Sequence, residues 1–269
     1  MNETELCARL ALAKVLAKEG GRRARELFRS GNFDVAFKGP GDPLTTADLA
    51  VDAFILDGIR RSFPQDGILS EESGGAEADV LWVIDPIDGT QNFSRGIARF
   101  AVSIAICENG QPIGGAIYDP MADELFFARR GGGAFLHDRA IRTSLICDPT
   151  CALIEAGYSA KHPWEAYHGL TGRLLSAGFG VRQVGSAALG LAEVACGRID
   201  GYCEMHLESW DVAAAALIVA EAGGIVSNFF AGDLRMGGPI VAAARGLWEP
   251  LIAASAIADG RCAQTTLQC

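Results

Sequence analysis

Basic charge is what this 269-residue chain lacks most. Its 23 Lys and Arg face 33 Asp and Glu, for a formal net charge of −10. With no cationic surplus to displace the counterions of a polyanion, direct nucleic-acid binding is not expected. Arg22, Arg23 and Arg25 form the one tight basic cluster and read as a solvated helix face. Cys-x-x-Cys is absent from the eight cysteines, and His137, His162, His168 and His206 show no zinc-type pairing with them. The thiols therefore read as small buried hydrophobes or surface groups of a reducing compartment, where a Cys147–Cys151 bridge is disfavoured. No apolar run approaches the roughly 20 residues of a membrane span; the longest, residues 212–220, stops at Glu221. Glu3 and Glu5 precede the first apolar stretch, unlike a secretory leader, so a cytoplasmic location with no membrane partner is expected. Repeats, low-complexity tracts and long linkers are missing as well.

What is present is ordinary globular material, 49% apolar and 21% charged, long enough for a large core or two modest domains. Residues 3–29 repeat apolar positions at helical spacing (Leu6, Leu10, Ala13, Leu16, Ala17), with Gly20-Gly21 a candidate break. A short strand at 35–38 leads into Gly39-Pro40-Gly41-Asp42-Pro43, a loop by composition. Thr45 or Thr46 caps a helix running to about residue 63, with Asp48 in its first turn. Strands are predicted at 100–107, 112–118, 124–128 and 133–135, parted by turns at Asn109-Gly110 and Asp119-Pro120, which favours an antiparallel sheet. From about 150 strands and helices alternate: strands at 152–156, 180–184, 199–204, 225–228 and 239–243, helices at 163–177, 187–196, 210–222 and 247–258. The reading is an α+β fold with an N-terminal part, 1–145, and a C-terminal α/β part, 146–269.

Asp85-Pro86-Ile87-Asp88-Gly89-Thr90 carries the chemistry. It sets two carboxylates three residues apart at the end of the apolar run Val80-Leu81-Trp82-Val83-Ile84. Crowded carboxylates repel unless a cation lies between them, and Mg²⁺ takes one or two such groups together with substrate phosphate. Backbone amides of Gly89 and Thr90, where a helix opens, could hold that phosphate. Three more acidic groups stand at element junctions: Asp48 behind Thr45, Glu71-Glu72 after a short strand, and Asp211 in Ser209-Trp210-Asp211. Alone, Asp211 is a plain N-terminal helix charge favoured by the dipole.

Five segments in order carry a resemblance to the inositol monophosphatase family. They are Thr45-Thr46-Ala47-Asp48, Glu71-Glu72-Ser73, Asp85 to Thr90 with Asn92-Phe93, Gly185-Ser186-Ala187-Ala188, and Trp210-Asp211 leading to Glu221-Ala222-Gly223-Gly224. The resemblance implies a layered α-β-α-β-α sandwich with an antiparallel first sheet and a mixed second one. It implies two to three Mg²⁺, one held by Glu71, Asp85 and the Ile87 carbonyl, one by Asp85, Asp88 and Asp211, and a weaker one reached by Glu71, the position linked to lithium sensitivity. The implied reaction is hydrolysis of a phosphate monoester by metal-activated water, with Thr90 and Asp48, and Thr45 nearby, orienting and deprotonating that water. Gly89, Thr90, Ser186, Ala187, Glu204 and Asp211 are the implied substrate contacts, with Glu204, seven residues before Asp211, on a substrate hydroxyl. Ser159 and Lys38 match family positions more loosely, and His206 reads as a partly buried histidine. Trp82 and Trp210 read as packing beside the ligands. Inositol monophosphate is the first substrate expected. Histidinol phosphate or other small polyol and sugar phosphates are the enzymatic alternatives, and a regulatory partner of the transcription machinery is the non-enzymatic one. The family also implies a homodimer.

Overall fold

The structure, a computed structural model, describes residues 1–75, 78–158 and 162–258. The N-terminal strands and helices are α1 (Glu3–Ser30), β1 (Val35–Gly39), β2 (Asp42–Thr45), α2 (Thr46–Ser62), β3 (Gly67–Ser70), β4 (Gly74–Gly75), β5 (Val80–Asp88), α3 (Thr90–Ser94), β6 (Ala101–Glu108), β7 (Gln111–Asp119), β8 (Glu124–Arg129), β9 (Ala134–Leu136) and β10 (Arg139–Ala140). After them come β11 (Leu153–Ala156), α4 (Trp164–Ser176), β12 (Gly180–Arg182), α5 (Ala187–Ala195), β13 (Gly201–Leu207), α6 (Ser209–Glu221), β14 (Ile225–Val226), β15 (Gly238–Ala243) and α7 (Trp248–Ser255).

The eight-stranded sheet runs β10-β9-β8-β7-β6-β5-β3-β4. It is antiparallel apart from β3 beside β5, which pair in parallel and are joined through residues 71–79, where β4 lies. The five-stranded sheet, β12-β11-β13-β15-β14, is mixed. Helices α1 and α2 cover the outer face of the first sheet, α4 and α7 the outer face of the second, and α5 and α6 lie between the sheets. That is the five-layer α-β-α-β-α order.

Helix α6 explains the middle layer. Its sequence, Ser-Trp-Asp-Val-Ala-Ala-Ala-Ala-Leu-Ile-Val-Ala-Glu, has no polar face after Asp211, and residues 212 to 219 are all buried. A helix apolar all round must be covered on every side. Its alanines let the backbone come close: a Cβ on Gly115 of β7 would meet the Ala214 Cα at 2.8 Å. Helix α1 runs unbroken through Gly20-Gly21, against the break that the pair invites. The two glycines are packing contacts instead, since a Cβ on Gly21 would lie 2.5 Å from the Tyr118 ring. The Gly39-to-Pro43 stretch is no open loop either. It turns at Pro40-Gly41 to join β1 and β2 as an antiparallel hairpin, where Pro43 is tolerated because the strand is an edge. Arg23 lies over the Phe54 ring and Arg25 donates to the Pro120 carbonyl, so the basic cluster of α1 partly packs rather than only facing solvent. Cys147 and Cys151 are both free.

Candidate active site

Residue alternation along a strand would send Asp85 and Asp88 to opposite faces, since their spacing is odd. Strand β5 corrects this with a bulge. Asp85 pairs with Ser103 and Asp88 with Ala101, so three steps on β5 face two on β6. Pro86, having no N–H to lose, sits inside the irregularity, and Asp85 Oδ1 accepts the Ile87 N–H at 2.9 Å. Both carboxylates thereby point to one side. Gly89 follows in the left-handed region at φ 98°, and a Cβ there would meet the carbonyls of Arg99 and Gly185 at 3.0 and 3.1 Å. Only glycine fits.

Asp88 is almost wholly buried and is tied to the start of α5. Its carboxylate accepts the Ser186 hydroxyl, with the Ala187 and Ala188 amides at 3.1 Å each. Ser186 and Ala187, read from sequence as substrate contacts, are thus placed on a metal-ligand candidate. Asn92 fastens the same junction, its Nδ2 donating to the carbonyls of Arg99, Val184 and Gly185. Asp211 closes the N-terminus of α6, accepting the Glu208 amide at 2.8 Å. Ligand-capable oxygens of Asp85, Asp88 and Asp211 lie within 4.8 Å of one another. Burial, joined by repulsion from Glu71, Asp88 and Asp211, pushes the Asp85 carboxyl well above its ordinary range. Burial, then Asp88 and Glu71, do the same to Asp211. Such a trio of hard oxygens, disfavoured as bare anions, suits Mg²⁺.

Glu71 stands beside this trio, its amide bonded to the Ile84 carbonyl at 3.1 Å. Lys38, on the β1–β2 hairpin, reaches across to it: Nζ is 3.0 Å from Glu71 Oε1 and 2.8 Å from Glu72 Oε1. Burial opposes the ammonium charge, but the two carboxylates outweigh it and hold Lys38 protonated. The loop carrying Glu71 is further anchored by Ser70 and Ser73, whose hydroxyls both donate to the buried Asp52 of α2.

Thr45 caps α2 through a capping box with Asp48. Asp48 is fully buried. Its Oδ2 accepts the Thr45 amide at 2.8 Å and hydroxyl at 2.5 Å, leaving Oδ1 for the Thr90 hydroxyl at 3.0 Å. Burial raises the Asp48 carboxyl against the pull of these hydrogen bonds. Thr90 also donates to the Ile87 carbonyl at 2.9 Å.

These residues open on one cavity of about 680 Å³, whose walls include Glu71, Asp85, Asp88, Thr90, Asp211 and Glu204. Glu204 stands on β13 with Tyr202 two residues earlier on the same face. The Tyr202 hydroxyl donates to Glu204 Oε2 at 2.5 Å. Burial pushes the Glu204 carboxyl up to about 8, against that hydrogen bond. Gly157 makes room for the pair, since a Cβ there would fall 1.9 Å from Glu204 Oε2. The chain belongs to the inositol monophosphatase family. The family's sequence model matches residues 7–260. A relative named Nus factor SuhB, from Salmonella typhimurium strain LT2, is 46% identical over 240 residues, 87% of this chain and 90% of its own. The Mesorhizobium japonicum protein named Inositol-1-monophosphatase is 40% identical over 247 residues, covering 87% of this chain and 92% of that one. The crystal structure of the extragenic suppressor protein suhB from Bartonella henselae superposes with a TM-score of 0.87 at 35% identity, over 92% of this chain and 98% of that one. These findings bear out the resemblance read from the five segments and the layered fold it implied.

Ser159 lies outside the described residues. His206 makes a 3.2 Å contact with Glu208 and lies beside the His162 ring. Trp82 is fully buried and donates to Asp66, and Trp210 packs partly buried against the middle layer. Sequence reasoning passed over Tyr202 and Gly157. The one signal for Tyr202 was its i, i+2 relation to Glu204 on a strand. No helix among the described residues is long and apolar enough to cross a membrane.

Proposed function

We propose that this protein is a Mg²⁺-dependent phosphomonoesterase that hydrolyses inositol monophosphate, of the myo-inositol 1-phosphate type. The gathering of the Asp85, Asp88 and Asp211 oxygens at the wall of a polar cavity carries the reading. Glu71, Asp85 and the Ile87 carbonyl would hold one ion, and Asp85, Asp88 and Asp211 a second. Glu71 would reach a third, weaker position at which Lys38 is its present partner. When bound, Mg²⁺ supplies charge neutralisation to the phosphoryl group and to the attacking and departing oxygens of an in-line displacement.

The chain's own groups do the rest. Thr90 Oγ1, hydrogen-bonded to Asp48 Oδ1, orients a water and relays its proton to that carboxylate, which burial already inclines to hold one. Thr45 keeps Asp48 in place through its other oxygen. Gly89, Thr90, Ser186 and Ala187 line the phosphate end, and Glu204 reads a hydroxyl of the departing alcohol. Attack is read as falling to water, without a phosphoenzyme, with Ser186 bonded to Asp88.

A panel of inositol 1-phosphate, histidinol phosphate, a sugar phosphate and p-nitrophenyl phosphate tests the reading. Inositol 1-phosphate is expected to give the highest kcat/KM, and chelation of Mg²⁺ to abolish every rate. Preference for histidinol phosphate would move the assignment to that alternative. Replacing Glu204 by Ala should lower kcat/KM on inositol 1-phosphate at least tenfold more than on the aryl ester, because a missing buried partner leaves the substrate hydroxyl unpaired. Equal losses on both would remove Glu204 from substrate recognition. Millimolar Li⁺ should inhibit turnover through the weaker position near Glu71, and steady-state rates insensitive to it would count against a third ion.

The relatives named Nus factor SuhB favour a second reading, a regulatory partner of the transcription machinery. Stoichiometric recovery of RNA polymerase with the tagged protein, together with negligible turnover on the panel, would place that role first. We further propose a cytoplasmic homodimer, which sedimentation of the purified protein would reveal.

A further inference from the structure

Glu204 is held at one oxygen and open at the other. Tyr202, two residues earlier on β13, donates its hydroxyl to Oε2 at 2.5 Å. Oε1 accepts no hydrogen bond among the described residues. Nor is it sealed in, because the one enclosed side-chain nitrogen or oxygen without a partner among those residues is Arg99 Nε. Glu204 lines the cavity and is 5% exposed. Oε1 is therefore the acceptor that this carboxylate presents to the cavity.

The fold makes room for this pair. Alternation along β13 sets Tyr202 and Glu204 on one face, in register with Ala242 and Ile240 of β15. Two glycines clear the space around them. A Cβ on Gly190 of α5 would come within 2.8 Å of the Tyr202 ring, and one on Gly157 within 2.6 Å of its hydroxyl. Gly157 is fixed in place by its amide, which donates to the Cys203 carbonyl at 2.9 Å. Burial, then the charge of Glu204 and its hydrogen bond, push the phenol well above its ordinary range. The hydroxyl thus stays protonated and serves as the donor. A glutamate's last torsion is broad, so an untied carboxylate points its oxygens in many directions. With Oε2 tied to Tyr202, Oε1 points in one.

We propose that Tyr202 is a positioning residue for substrate recognition: by holding Oε2 it aims Oε1 of Glu204 at one hydroxyl of a rigid polyol phosphate. Tyr202 acts through Glu204 and touches none of the reacting atoms. An acceptor fixed before binding spares the complex the cost of ordering it. The interaction is the same in the bound substrate and in the transition state, so its effect lies in KM rather than in kcat. This rests on the phosphomonoesterase reading, with Glu204 as its hydroxyl contact.

The test measures kcat and KM on inositol 1-phosphate and on p-nitrophenyl phosphate, which has no free hydroxyl. Tyr202→Phe keeps the ring against Gly190 and removes only the hydroxyl. It should lower the ratio of the two kcat/KM values at least about fivefold, through a higher KM for inositol 1-phosphate. In a Glu204→Ala background the same substitution should move that ratio less than about twofold, because the hydroxyl then has nothing to aim. A smaller fall in the folded single variant, or a fall carried by kcat, would overturn the proposal. So would a larger loss in the Glu204→Ala background, which would make Tyr202 a packing residue. Cyclohexyl phosphate, a six-membered ring without free hydroxyls, serves if the variants do not fold. The parent should favour inositol 1-phosphate over it at least about tenfold in kcat/KM, and a smaller preference would likewise overturn the proposal. Absence of Mg²⁺-dependent hydrolysis of p-nitrophenyl phosphate by the parent would instead sink the phosphomonoesterase reading.

Discussion

Asp88→Asn should cut Mg²⁺-dependent turnover a thousandfold or more on every ester, aryl phosphate included. The substitution removes one charge and almost no volume. It keeps one acceptor oxygen, enough for the Ser186 hydroxyl and the Ala188 amide, while the Ala187 amide, held by the other oxygen, loses its partner; a melting curve of the variant checks that the α5 junction holds. What disappears is the anionic oxygen that Asp88 shares with Asp85 and Asp211. A thousandfold loss corresponds to about 4 kcal/mol of barrier, in the range that positioned electrostatic stabilisation supplies. The control is Asp123→Asn, an exposed acid bonded to Tyr118 that is not among the residues lining the cavity, which should leave rates intact. More than a tenth of parent activity in Asp88→Asn would remove that residue from the metal site.

The second large effect is on stability. Without metal, Asp85 and Asp211 have folded-state pKa values well above those of a free carboxyl. Such groups bind more protons folded than unfolded, so stability falls as pH rises from the unfolded value through the folded one. The metal-free protein should therefore melt at a lower temperature at pH 8 than at pH 5.5. Mg²⁺ needs these carboxylates ionised, so its stabilisation should be larger at pH 8. At a hundredfold excess over Kd it amounts to about 2.7 kcal/mol for a single site, a rise of roughly 5–10 °C for a chain of this size. A Tm in chelator that is level across this range, with no gain from Mg²⁺, would mean that the acids do not form one coupled cluster.

The parts of this protein that could be read from sequence are those whose signal is local. Thr45 and Asp48 announce a capping box within four residues, and Asp85 to Thr90 is a contiguous motif. The predicted strands from 100 to 135 alternate between clear turns and match the structure to within a residue or two. The bulge that turns Asp85 and Asp88 to one side is not local, because it exists only against the register of β6. Nor is the bond from Ser186 to Asp88, which spans 98 residues. An ion pair of Arg99 with Glu193 joins positions 94 apart, and nothing in either flanking sequence names the other. The second strand of the β1–β2 hairpin is hidden for a different reason: the glycines and prolines from 39 to 43 speak for a turn and obscure β2, whereas the strand at 35–38 is legible.

Helix α6 has a bearing on how the polypeptide must be made. The apolar underside of the eight-stranded sheet, with Ala105, Ile117 and Phe126, is closed by a helix encoded more than eighty residues later. A nascent chain leaving the ribosome would present that surface uncovered until residue 221 emerged. A premature stop codon before position 209 would yield a sticky, chaperone-dependent fragment rather than a smaller enzyme.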